Sequence, residues 1–486
     1  MDAVITRSKR QRLEEESRRQ QQRPPPAPRG EEGDAQRLDL IRRLPDDVLG
    51  AVITLLPATD GARTQILSRR WRPLWRSAPL NLEAKNLAAA QAILGSHHGG
   101  PGRRFSLTCC SDRTDGYPVI NDDMLRPPGL DGLQEFCLRL HFSFPIAVAL
   151  KNGRRNPATA PLSVFRFSAT LRVLTIICFD HGGLEFPAES AAACGTLGFP
   201  RLEQLTLSGV SISECTLHGI LSRCLVLQSL LLQDNLGYRR LRISSSTLRS
   251  LGVSDLLSRE RMLEEVIIED APLLASIITD GLTCVRGLKI RVIQAPKLKV
   301  LGYLGDRVNE PMLGSMIFKN MKLVSLPQAM RTVKILALKV ASDNLDAVID
   351  FLTWFPCVAK LHMLFSSGNS WKDVWGKSNN ARDLVSLEHL KTLELISYRA
   401  CTSEVGLIRF FLSNARVLES LKVLADRRVV CDVDWIPRQH KRLRRIGTAA
   451  SQGVKICLEP EPIHQPSSYE PMNHVHNLAL DDPFGI

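Results

Sequence analysis

Ten times between residues 171 and 423 the chain repeats a short string of the form Leu-x-x-Leu-x-Leu, with Val, Ile or Met standing in for Leu. Such a string alternates along its length, as a strand does when one of its faces is buried. The strings are Leu171/Leu174/Ile176, Leu202/Leu205/Leu207, Leu227/Leu230/Leu232, Leu248/Leu251/Val253, Leu263/Val266/Ile268, Val285/Leu288/Ile290, Val333/Leu336/Leu338, Val358/Leu361/Met363, Leu390/Leu393/Leu395 and Leu418/Leu421/Val423. Most steps between them run from about twenty to thirty-five residues, the spacing of irregular leucine-rich repeats. Regular repeats place an Asn three residues after the string to bond neighbouring backbones. Only Asn235 does so here, while Val210, Leu256 and Ala271 occupy the equivalent place. An ordinary α/β domain with leucine-rich strands is the alternative. Ten recurrences favour a stacked repeat body, irregular in its register.

A second informative stretch is residues 39–76, DLIRRLPDDVLGAVITLLPATDGARTQILSRRWRPLWR. Pro45 suits the first turn of a helix, where a missing N–H costs little. Asp46 and Asp47 then lie near the positive end of the helix dipole. Val48, Leu49, Val52, Ile53 and Leu56 give one broad apolar face, and Pro57 disfavours helix at Leu56. Thr59 or Asp60 is placed to cap a second short helix carrying Ala62, Ile66 and Leu67, and Ser68 a third carrying Trp71, Leu74 and Trp75. In that third helix Pro73 falls where a backbone donor is needed, so a kink or two broken turns are expected. A cluster this small does not bury so many large apolar groups by itself. Either the rest of the chain covers them or a partner does.

In order and spacing Leu44-Pro45-Asp46-Asp47, Val52-Ile53, Leu56-Pro57, Ala62-Arg63 and Leu67-Ser68-Arg69-Arg70-Trp71 resemble the plant F-box pattern. The phrases Phe199-Pro200-Arg201-Leu202-Glu203, Ala271-Pro272-Leu273-Leu274 and Ala295-Pro296-Lys297-Leu298 look like repeats of plant F-box/leucine-rich-repeat proteins. Residues 389–395 and 408–419 are similar to the FBD segment that ends many of them, a strand, a crossover helix and a second strand. Val405, Ile408, Phe411 and Leu412 fall on one face of that helix, and Arg416 replaces a common Pro, so a sharper helix stop is expected to be lost. The resemblance implies an α/β chain: an N-terminal three-helix F-box, then an irregular leucine-rich-repeat solenoid (a horseshoe), ending in an FBD-like βαβ segment. The expected boundaries are 1–38 for a disordered basic, Pro-rich tail, 39–79 for the F-box and 80–132 for a loop-rich linker leading into the solenoid. The repeats follow at 133–385, the FBD-like segment at 386–446 and a C-terminal tail at 447–486. In the family the F-box meets a Skp-family linker, and through it a cullin and a RING subunit. The implied anchors are Leu44, Pro45, Val48, Ile53, Leu56, Pro57, Leu67 and Trp71.

Composition narrows the classes further. Hydrophobic residues make up 44% of 486, enough to fill a sizeable core, and no uninterrupted apolar run approaches membrane-helix length. Twelve scattered cysteines without a Cys-x-x-Cys pair, and no Asn-x-Ser/Thr acceptor, suggest reduced thiols in the nucleus or cytoplasm. The net charge of +13 is spread along the chain. Its densest run, residues 438–445, reads best as a solvated helix face, with nuclear import or phosphate contact as alternatives.

Motifs that carry chemistry are missing. There is no phosphate-binding Gly-rich loop, nucleophile elbow or His-Glu-x-x-His. His97-His98 and His474-x-His476 read as solvated loop histidines, because no partner completes a metal-ligand set. Asp122-Asp123 and Asp481-Asp482 read as turn or tail residues, and Trp371 with Trp375 as a core helix face. No catalytic, cofactor or metal residue is expected. The resulting expectation is a non-catalytic substrate adaptor of a ubiquitin ligase, holding an unknown target on the strand surface of its repeats. The rivals are a nuclear basic scaffold contacting nucleic acid, and an F-box scaffold acting outside ubiquitylation.

Overall fold

The computed structural model describes residues 40–96, 101–111, 125–142, 158–159, 162–179, 184–186, 198–254, 263–279, 288–305, 312–313, 316–319, 322–323, 330–341, 345–366, 387–450, 453–462 and 472–485. The chain divides into two compact units, Met1–Ala51 and Val52–Ile486. Its helices are α1 (Asp46–Leu55), α2 (Ala58–Arg63), α3 (Trp71–Ser77), α4 (Leu87–Ser96), α5 (Glu214–Arg223), α6 (Leu345–Leu352), α7 (Thr402–Asn414) and α8 (Trp435–Ala450).

A fourteen-stranded sheet organises the second unit, its strands neighbouring one another in chain order. They are β1 (Leu80–Ala84), β2 (Gly102–Ser111), β3 (Glu135–Phe142), β4 (Val173–Cys178), β5 (Gln204–Ser208), β6 (Ser229–Gln233) and β7 (Ser250–Ser254), followed by β8 (Ser276–Thr279), β9 (Val300–Gly305), β10 (Ile335–Ala341), β11 (Lys360–Ser366), β12 (Thr392–Tyr398), β13 (Ser420–Ala425) and β14 (Lys455–Pro460). Each neighbouring pair, from β4 with β5 to β13 with β14, is parallel. Parallel neighbours need a crossover, and each repeat supplies one.

Register shows why leucines recur. Phe136, Leu174, Leu205, Leu230, Leu251 and Ile277 are partners across successive strands, and so are Leu336, Leu361, Leu393 and Leu421. All are buried on the core side. Each such side chain is worth about 1.5–3 kcal/mol when fully enclosed, and a slip of one residue would turn the whole row outward.

Eight of the ten strings lie on this sheet, but two do not. Leu263/Val266/Ile268 and Leu288/Ile290 belong to Glu265–Asp270 and Lys289–Val292, which pair in a second, six-stranded sheet that begins at Arg240–Ser244. Between Ser229 and Val300 the chain thus alternates between sheets, one strand to each. Period-two alternation is identical in both, so the strings alone carry no mark of the layer. Asn235 performs the expected bonding: its Oδ1 accepts from Val210 N at 2.9 Å and its Nδ2 donates to Leu207 O at 2.8 Å.

Within the stretch expected as a loop-rich linker, 80–132, the chain forms β2, in which Phe105, Leu107 and Cys109 alternate inward. The helix stop thought lost at Arg416 is intact: α7 ends at Asn414, and the Ala415 amide closes the last turn on Phe411 O. Helix α7 is enclosed more widely than one face, with Leu407 and Phe410 buried beside Val405, Ile408, Phe411 and Leu412. Helix α8 packs against α7 and β14. It buries Trp435 and Leu443 and leaves Arg438, Lys441, Arg442, Arg444 and Arg445 exposed, as a solvated face does. Among the described residues no helix is long and apolar enough to cross a membrane.

Candidate functional site

Two apolar surfaces are candidates, one on the N-terminal helices and one on the outward side of the sheet. Helix α1 opens with the Pro45 carbonyl accepting from Val48 N and Leu49 N. It ends before Pro57, and the Asn81 side chain on β1 donates to Thr54 O at 2.8 Å and Leu56 O at 3.3 Å. Those bonds satisfy carbonyls left open at the helix end. Helix α2 begins at Ala58 behind Pro57, so Thr59 and Asp60 lie inside it and not at its cap. Gly61 faces Trp75 so closely that a Cβ there would lie 2.3 Å from the indole ring. Helix α3 starts at Trp71, two residues later than a Ser68 cap would give. Pro73 therefore sits in the first turn, where its N–H would have no acceptor, and the helix runs on to Ser77 without the expected break.

The implied anchors separate by burial. Ile53 is 1% exposed and Trp71 7%, so both are already enclosed by their own chain. A side chain in that position supports the fold and offers a partner nothing without rearrangement. Leu44 and Leu56 are half-buried, and Pro45, Val48, Pro57 and Leu67 are exposed. Exposure also picks out residues outside the implied anchor set. Leu55 is 70% exposed and Ile66 85%, next to the anchor Leu67 at 64%, and Val52 stands one turn before Leu55 and Leu56 on α1. Their signal in sequence was a second apolar stripe on α1 and the adjacent Ile66-Leu67 pair.

The second surface lies on the outward side of β5 to β11. Thr206, Leu231, Gly252 and Ile278 form one row across β5–β8, and Ala337 and His362 continue it on β10 and β11. This row is covered by the chain itself. Val475 and Phe484 join Leu231, Ile278, Val300, Ile335 and Ala337 in one buried cluster, with Met472 and Tyr303 at its edge. His476 is not the solvated loop residue expected. Its Nε2 meets Thr206 Oγ1 at 2.6 Å and its Nδ1 meets Ser229 Oγ at 2.7 Å. Burial and then the neighbouring His474 pull its pKa down to about 4, so the ring is neutral. Asp482 is not a plain tail residue either: its Oδ2 lies 3.1 Å from His362 Nε2 and 3.3 Å from Lys360 Nζ. Burial pushes the Asp482 carboxyl up, but His362, the Phe484 amide and Lys360 outweigh it and hold the pKa at about 2. His362, with Glu394 3.2 Å from its other nitrogen, is held above its ordinary value, the two carboxylates overcoming burial. His97-His98, Asp122-Asp123, Trp371 and Trp375 lie outside the described residues. Among the described residues no group of three or more His, Cys, Asp or Glu is placed to hold a metal.

Residues 121–363, half of the chain, match the family model described as FBD-associated F-box protein At5g56370, LRR repeats, and residues 386–423 match the FBD model. The chain belongs to the FBD-associated F-box/LRR-repeat family. It is similar to an F-box/LRR-repeat protein of Arabidopsis thaliana (At5g02700), 26% identical over 195 residues, covering 40% of this chain and 38% of that protein. A second F-box/LRR-repeat relative from Arabidopsis thaliana (At4g15060) is 26% identical over 278 residues, covering 51% of this chain and 57% of the relative. An FBD-associated F-box relative from the same plant (At3g12840) is 50% identical over 44 residues, 9% of this chain and 24% of the relative. The matches thus span between about a quarter and three fifths of those relatives. The family's repeats and FBD segment correspond to β3–β11 and to β12, α7 and β13.

Proposed function

We propose that this protein is the substrate-recognition adaptor of a Skp–cullin–F-box ubiquitin ligase, with no catalytic residue of its own. The N-terminal helices dock the Skp-family linker, which brings cullin and the RING subunit, and the repeat body holds a target protein. The observation that carries the reading is the exposure of Leu55, Ile66 and Leu67 beside an enclosed Ile53 and Trp71. A short helical segment that buries its inner apolar residues and leaves large outer ones in water has the composition of an interface. Family membership supplies the class of partner. The revised anchors in the second unit are Val52, Leu55, Pro57, Ile66 and Leu67, with Leu56 at their margin. Catalysis by the assembly is proximity, the target being held near the charged ubiquitin carrier.

Co-capture tests this. The tagged full chain retains the Skp-family linker and, with it, cullin. No linker captured by a folded wild-type chain would end the proposal. Linker captured without cullin would support the scaffold that acts outside ubiquitylation.

A further inference from the structure

The strand face that an adaptor would offer its target is closed by residues 472–485 of the same chain. This strap lies across β5 to β11 and, among the described residues, adds no strand to the sheet. It holds by four side chains. Val475 fits over Gly252, where a Cβ would lie 2.5 Å from the valine methyl and 2.8 Å from Leu231. His476 bridges the Thr206 and Ser229 hydroxyls. Asp482 reaches Lys360 and His362, and its Oδ1 accepts from Phe484 N at 3.1 Å, which fixes the aromatic ring two residues on. Phe484 then meets Tyr303 edge-on at 5.1 Å and lies 5.6 Å from the His362 ring. Leu478 and Leu480, between these seats, are exposed.

We infer that this face is a docking site for a peptide segment of the target carrying a carboxylate two residues before an aromatic side chain, and that residues 472–485 occupy it in cis until the target displaces them. Three observations support it. Lifting the strap breaks no strand pairing, yet uncovers Leu231, Ile278, Val300, Ile335 and Ala337 as one contiguous apolar surface. The seat has matched chemistry, the Lys360 ammonium and the His362 imidazole facing a carboxylate next to an apolar, aromatic-lined hollow. The closed face is also incompletely satisfied: Gln233 Oε1 and Ser254 Oγ, outward on β6 and β7, are buried without a hydrogen bond. The identity of the partner as a ubiquitylation target rests on the adaptor reading. The seat itself does not.

The test uses the full chain and a fluorescent peptide of residues 472–486. A full chain with Asp482→Asn and Phe484→Ala in its own strap leaves every sheet residue unchanged. It should bind the native peptide about tenfold or more tightly than wild type does, because the tethered competitor is gone. A peptide carrying the same two substitutions should not bind. Absence of native-peptide binding to the strap variant, or equal binding by both chains, overturns the proposal. Amide exchange on the wild-type chain gives an independent reading that needs no variant to fold. Strap amides should exchange faster than those of β7 and β8, and equal protection would make the strap a fixed part of the core. Peptide failure with linker capture intact removes the seat alone. Linker failure with peptide binding intact removes the adaptor and leaves the seat.

Discussion

The two ends of this chain treat apolar surface in opposite ways. The N-terminal helices enclose Ile53 and Trp71 and leave Leu55, Ile66 and Leu67 in solvent. The C-terminal segment spends Val475 and Phe484 on covering Leu231, Ile278 and Ala337. An open patch of this kind is ready for a constitutive partner, whereas a covered one admits a partner only by displacement. On the proposed reading, the comparison separates a permanent assembly surface from a conditional one within one polypeptide.

The largest effect should come from breaking the N-terminal division between core and face. Trp71→Ala removes an enclosed indole and should cost about 3–5 kcal/mol of stability in denaturant unfolding. Leu67→Ala should change stability by no more than about 0.5 kcal/mol, since it stands in solvent. The same Leu67→Ala should weaken linker binding by about tenfold or more in a direct titration. Similar unfolding costs for both would erase the distinction. Next is Asn235→Ala, which leaves Val210 N and Leu207 O without their partner and should lower stability by about 1–3 kcal/mol per orphaned group. Because Asn235 lies on the turn after β6, linker capture should be unaffected.

Smaller effects sharpen the account of the strap. Gly252→Ala pushes a methyl into Val475 and Leu231. It should loosen residues 472–485 in hydrogen exchange while the protection of β12 and β13 is kept. Acid should loosen the strap as well. His476 is neutral when seated, with a pKa near 4, and an opened ring returns to about 6.5. The opened form then binds a proton that the closed form does not, so closure is unimpaired above pH 6.5 and weakens as pH falls toward 4. His362 works in the other sense: its raised pKa favours the seated Asp482 at low pH, and that help fades as pH rises through the elevated value. Closure should accordingly peak near or just above pH 6.5, and Ser229→Ala should not shift the His362 arm. The smallest effect belongs to α8. Arg438→Ala breaks an exposed pair with Asp432 and should leave the unfolding midpoint unchanged.

Sequence periodicity gave the strands wherever a leucine string fell between well-spaced turns, as at Leu205, Leu230, Leu251 and Leu393. It could not say that Val266 and Ile290 lie on another sheet, because burial on one side looks the same in either layer. It passed over β2, whose Phe105, Leu107 and Cys109 alternate without leucine spacing, and β14, where Ile456 and Leu458 stand alone. Helix starts were missed by two or three residues at Pro57 and Arg70, and the second shift moves Pro73 from a breaking position to a harmless one. The F-box-like motif marks residues shared by a family and does not separate those that hold the helices together from those that face outward. Trp71 is the clear instance. The strap was least legible of all, since Val475, His476, Asp482 and Phe484 have no periodicity and acquire meaning only from strands more than a hundred residues away in sequence.

The central claim, that an open apolar face near the N-terminus receives the linker, is tested most directly by calorimetric titration of the full chain with a Skp-family linker. Wild type should bind one linker per chain, and Leu55→Ala, Ile66→Ala and Leu67→Ala combined should lower the affinity by about a hundredfold or more with the unfolding midpoint kept. Undiminished binding by a folded triple variant would contradict it.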